Sequence, residues 1–116
     1  MKSAKVIILA VIFGILAVSA IAFGSDNAVP VLIDVRTEAE WVAGHLEGAV
    51  LIPYDRIEQG IAAVVPDKKS KILLYCRSGR RSGIAAETLK NVGYQDLTNL
   101  GSMENAAREL NLQIVK

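Results

Sequence analysis

The chain carries one cysteine, Cys76, within "YCRSGRRSG", Tyr75 to Gly83. Arg77, Arg80 and Arg81 follow it closely, with Gly79 and Gly83 among them. The thiolate, not the thiol, is the nucleophile, and positive surroundings keep a cysteine ionised near neutral pH. A lone thiol has no partner for an intrachain disulfide, so it reads either as a free reactive group or as a small buried hydrophobe. The second reading gives the arginines no purpose. The first gives them two: to favour the thiolate and to draw an anion to it. The glycines let the backbone bend closely around the sulfur. Cys76 is therefore the candidate nucleophile. Arg77, Ser78, Gly79, Arg80, Arg81 and Ser82 are the candidate anion-binding residues.

Regular elements must hold such a loop. The pattern predicts strands at Val31–Val35, Ala49–Pro53, Lys71–Cys76 and Asp96–Leu100. Helices are predicted between them, at Thr37–Gly44, Asp55–Pro66, Ser82–Gly93 and Ser102–Leu110. Thr37 and Glu40 have capping-box spacing, Asp55 and Glu58 form a weaker pair, and Ser102 suits an N-cap. Strands alternating with helices imply an α/β fold, a small parallel sheet with helices on both faces. Ligands in such folds gather at the carboxyl ends of strands. Cys76 stands at one such end, just before a helix whose free N–H groups favour anions.

Composition sets the frame. A chain of 116 residues holds one small domain. The run Val6–Phe23 is uncharged and follows Lys2 and Lys5, and Ala20-Ile21-Ala22 offers small residues at signal-peptidase spacing. Residues 1–22 are expected to be a signal peptide or, uncleaved, a membrane anchor, with 23–30 as linker and 31–116 as the domain. Both alternatives place the domain outside the cytoplasm, in the periplasm, free or tethered to the inner membrane. Membrane contact is expected only if the segment is uncleaved. Without Lys2 and Lys5 the 13 basic residues fall to 11, against 12 acidic ones, a net of −1. That balance argues against a nucleic-acid partner.

The sequence resembles the rhodanese-like sulfurtransferase family over nearly all of the chain after the N-terminal segment. "LIDVRTEAEWVAGHLEGAVLIP" looks like the family's first motif, "YCRSGRRS" like its active-site loop, and "LKNVGYQDLTNLGS" like the approach to its last strand. The short form, with an export signal, is most similar to single-domain periplasmic rhodaneses of the phage-shock type. The resemblance implies a thiosulfate sulfurtransferase: Cys76 takes the outer sulfur of thiosulfate as a persulfide and passes it to cyanide or a thiol. It implies no metal and no organic cofactor. It gives the loop amides of residues 77–82 the role of stabilising the persulfide, and Arg77, Arg80 and Arg81 that of holding the sulfonate. A persulfide carrier fed by a protein donor would show the same loop. The family often has two glycines after the last strand; here the second is Ser102, which puts the backbone at the pocket rim in question.

Other residues have plainer readings. Asp34 and Arg36 are expected to form a buried anchor and ion pair. His45, the lone histidine, is structural in the family motif, and a stabilised thiolate needs no base. Trp41 is expected in the core, and Lys68, Lys69 and Lys71 in a solvated run. A cysteine phosphatase would need arginine six places after the cysteine, where this chain has Ser82. A disulfide oxidoreductase would need a second cysteine to resolve its mixed disulfide.

Overall fold

A computed structural model describes residues 29–116. The expected signal or anchor segment, and all of the linker before Val29, lie outside the described residues. The order is β1 (Val31–Asp34), α1 (Glu38–Ala43), β2 (His45–Leu46), β3 (Val50–Leu51), a 3-10 turn (Tyr54–Arg56), α2 (Ile57–Val64), β4 (Lys71–Cys76), α3 (Arg80–Asn91), β5 (Asp96–Ser102), α4 (Met103–Leu110) and β6 (Ile114–Val115). Four strands form a parallel sheet in the order β3-β1-β4-β5. The expected α/β architecture is present, with β4 central.

Side-chain alternation along β4 builds two cores, one on each face of the sheet. Ile72, Leu74 and Cys76 point to one face, where they meet Ile33, Ile57, Ile61, Ala85 and Leu89. Leu73 and Tyr75 point to the other, against Leu32, Leu46, Leu100 and Ala106. Helices α2 and α3 thus cover the first face and α4 the second. The period of two sends Cys76 beneath α3 and its neighbour Tyr75 to the opposite side.

Several local expectations change. The helix expected from Asp55 opens instead as a 3-10 turn, and α2 starts at Ile57 with no side-chain cap. Asp55 lies inside the turn, closed by Arg56 N–H donating to the Pro53 carbonyl at 2.9 Å, so no Asp55–Glu58 cap forms. Strands β2 and β6 pair antiparallel as a separate two-stranded unit that was not expected. Two-residue strands carry no periodicity to read. Trp41 is not in the core, because α1 has no buried residue. The capping box Thr37–Glu40 and the Ser102 cap of α4 both form. Among the described residues no helix is long and apolar enough to cross a membrane.

Candidate active site

Cys76 ends β4 with none of its surface exposed. Only Arg77, Ser78 and Gly79 separate it from α3, which begins at Arg80, two residues before the expected Ser82. The loop is consequently tight, and Arg80, Arg81 and Ser82 form the first turn of the helix. Gly79 caps α3 at φ 101°, a left-handed conformation that favours glycine. A Cβ there would meet Gly101 Cα at 3.3 Å, so the loop and β5 approach backbone to backbone.

Helix α3 thus offers its positive end to the sulfur. The Gly79 N–H donates to Cys76 Sγ at 3.0 Å. The Ser82 hydroxyl lies 3.5 Å from the same sulfur. Burial alone would raise the thiol pKa. Hydrogen bonding at Ser82 and the amides of Gly79 and Ser78 more than offset it, and Cys76 falls from 9.0 to about 7. Hydrogen bonds from the loop, rather than the arginines, lead the causes that lower it. Arg81 adds to this by charge.

The three arginines divide. Arg81 makes a bidentate ion pair with Glu40, Nη1 to Oε1 at 2.8 Å and Nη2 to Oε2 at 3.0 Å. Its guanidinium is therefore committed to α1 and does not point freely at an anion. Arg77 and Arg80 are exposed and, among the described residues, neither is paired with a carboxylate. The first turn of α3 holds no acidic residue to neutralise them or the helix dipole.

Asn99 is the residue that sequence reasoning missed. Its Oδ1 accepts the Ser82 hydroxyl at 2.6 Å and the Gly101 N–H at 2.9 Å, while its Nδ2 donates to the Gly79 carbonyl at 3.0 Å. One side chain thus ties β5 to the end of the loop at Gly79 and to the first turn of α3. The signal was an amide near the carboxyl end of a strand, two residues before a glycine. At this point β5 carries one residue more than β4, since Leu74 pairs with Asn99 and Cys76 with Ser102. Gly101 takes the positive φ of 82° within that bulge. Ser102 is extended and caps α4, so the missing second glycine costs the rim nothing.

Beneath the loop, on the other face, Arg36 and Asp34 form the expected buried ion pair, Nη2 to Oδ2 at 2.8 Å. Arg36 also donates to the Gly44 carbonyl at 2.6 Å. The Tyr75 hydroxyl donates to Asp34 at 2.6 Å and accepts the Leu46 N–H at 3.0 Å. Burial, then the Asp34 carboxylate, pushes the phenol pKa far up, so Tyr75 is a neutral donor. His45 stacks on Trp41 with ring centroids 3.5 Å apart, and its Nδ1 lies 2.9 Å from the Trp41 carbonyl. Both residues brace the end of α1. Among the described residues no cluster of His, Cys, Asp and Glu is placed to hold a metal. An apolar groove of about 550 Å³, lined by residues such as Val31, Leu73 and Leu112, lies at the amino ends of β1 and β4 and does not reach Cys76.

A buried sulfur at the end of β4, beside a three-residue loop that opens a helix, is joined by a match of the rhodanese-like domain family to residues 21–109. The chain belongs to the rhodanese-like family. Thiosulfate sulfurtransferase PspE of Escherichia coli K12 is 39% identical over 75 residues, covering 65% of this rhodanese-like chain and 72% of PspE. The putative sulfur carrier protein YrkF of Bacillus subtilis is 34% identical over 76 residues, and the chain spans only 40% of its length. A solved rhodanese with anions from E. coli superposes with a TM-score of 0.70 at 35% identity, covering 76% of this chain and 99% of that one. This rhodanese-like domain thus has the sulfurtransferase fold.

Proposed function

We propose that the protein is a thiosulfate sulfurtransferase working through a persulfide on Cys76. The observation that carries this reading is the sulfur itself, with Gly79 N–H at 3.0 Å and a pKa lowered to about 7, so thiolate is available at neutral pH. The thiolate attacks the outer sulfur of thiosulfate. A new S–S bond forms, the bond within thiosulfate breaks, and sulfite leaves with its electron pair. The persulfide anion then gives its outer sulfur to cyanide, as thiocyanate, or to a thiolate, as a new persulfide. Cys76 returns as thiolate, and the charges balance at both steps. The amides of Ser78, Gly79 and Ser82 hold the sulfur's charge, while Arg77 and Arg80 meet the sulfonate. Arg81 is given a supporting place because Glu40 holds it. The similarity to PspE supports this choice of donor.

A second reading, a carrier loaded by a protein donor, is favoured by the similarity to YrkF. The two differ in rate: free thiosulfate should load a sulfurtransferase quickly and a carrier hardly at all. Intact mass decides the main reading. Thiosulfate should add one sulfur atom, cyanide should remove it, and Cys76→Ser should show neither change. Retained transfer in that variant would overturn the assignment. We also propose that residues 1–22 direct export or anchor the domain. An N-terminus near Phe23 in a soluble extracytoplasmic fraction would show cleavage, and a full-length carbonate-resistant form would show the anchor.

A further inference from the structure

Glu40 serves two elements at once. As the third residue of the α1 capping box it accepts the Thr37 N–H at 2.9 Å and the Thr37 hydroxyl at 3.1 Å, both on Oε1. The same carboxylate grips Arg81 with both oxygens. The pair is only partly exposed, the side chains at 18% for Arg81 and 28% for Glu40. Paired so, Arg81 brings little net charge to the first turn of α3. Arg81 nevertheless lies in the first turn of α3, one residue before Ser82, whose hydroxyl is 3.5 Å from Cys76 Sγ, and its charge acts on the sulfur. A cation close enough to act on the sulfur is thus neutralised by a residue of another helix, while Arg77 and Arg80 keep their charge.

We propose that Glu40, acting through Arg81, sets how strongly the Cys76 site favours anionic reactants. Glu40 is a positioning residue here and does not touch the donor. Its carboxylate tempers the positive field of the loop. The consequence is a site that admits a dianion without holding its anionic leaving group too firmly. For sulfur donors this rests on the sulfurtransferase reading, but the field itself can be measured without turnover.

The test compares the parent with Glu40→Gln, Arg81→Gln and the double variant. Glutamine still completes a capping box, so Glu40→Gln changes the charge and leaves α1 its cap. Cys76 is alkylated with iodoacetate, an anion, and with iodoacetamide, which is neutral. The ratio of the two rates reports the field and cancels the thiolate fraction. It should rise about 3- to 10-fold in Glu40→Gln, fall by a similar factor in Arg81→Gln, and return toward the parent in the double variant. Loading by thiosulfate should follow the same order, and added salt should compress all the differences. An unchanged ratio in Glu40→Gln overturns the inference. So does an equal fall in both proteins lacking Arg81, which would make Arg81 a direct ligand. If the ratios follow the expected order but thiosulfate leaves no sulfur on Cys76, the field effect stands and the sulfurtransferase reading fails.

Discussion

Removing the Ser82 hydroxyl should raise the Cys76 pKa, because its proton, given to Asn99 at 2.6 Å, helps to hold the loop amides that lower the thiol. The sign follows from the thiolate being the reactive form. In the parent, kcat/KM for thiosulfate should climb as pH rises through about 7 and level off above. In Ser82→Ala the climb should move to higher pH, costing roughly 2- to 10-fold at neutral pH. A profile with an unmoved midpoint would show that the amides alone hold the charge. Arg80→Ala and Arg77→Ala should each weaken thiosulfate use, by about 10- to 100-fold for whichever touches the sulfonate. Kinetics with thiosulfate and an uncharged donor would check this, since only the former needs the cations. Cys76 and its loop were legible because residue type and spacing alone announce a cradled nucleophile. Asn99 was not, because its role exists only once β5 lies beside β4. The engagement of Arg81 was hidden for the same reason: its partner is 41 residues earlier.

Between elements, the close approach of Gly79 to Gly101 is the least forgiving contact. Gly79→Ala must adopt φ 101° and place its Cβ against backbone at 3.3 Å. Left-handed strain alone costs about 1–2 kcal/mol, and displacement of the loop should remove most activity as well. Thermal melting and turnover, measured together, would show both losses. Gly48→Ala gives a control with positive φ but open space around it, and should cost stability without touching the site. The Glu40–Arg81 pair predicts an acid response. The Arg81 hydrogen bonds lower the Glu40 pKa from 4.5 to about 2. A lowered carboxylate contributes stability in full above pH 4.5 and loses it as pH falls toward 2. Urea unfolding at pH 6 and pH 3 should therefore show a smaller acid loss in Glu40→Gln than in the parent. Caps and strands were legible where an element was long enough to show a period, as in β4 and α3. The 3-10 turn after Pro53 and the β2–β6 pair were not, because they are set by contacts made after the chain folds back.

At the scale of the molecule, two cores share one sheet, and the Asp34–Arg36–Tyr75 network lies on the face away from α3. Tyr75→Phe would leave the Leu46 N–H without its acceptor and take one donor from Asp34, which keeps Arg36, at a cost of about 1–3 kcal/mol. Denaturant titration would measure it, and activity should persist at temperatures where the variant stays folded. The burial of Cys76 has a further consequence, for the regiochemistry of sulfur release. In the sulfur-loaded protein the outer sulfur projects roughly 2 Å beyond the inner one. The inner sulfur, Cys76 Sγ, sits at the buried end of β4 with the Gly79 amide at 3.0 Å and the Ser82 hydroxyl at 3.5 Å packed against it. An acceptor thiolate that struck the inner sulfur would form a mixed disulfide and expel hydrosulfide. One that strikes the outer sulfur carries it away and frees the enzyme. Attack on the inner sulfur must come in line from the side opposite the outer sulfur, where the protein packs, whereas the outer sulfur is met from the side by which the donor reached Cys76. A bulky thiol acceptor should therefore leave Cys76 unmodified after transfer, with no mixed disulfide on the protein's single thiol.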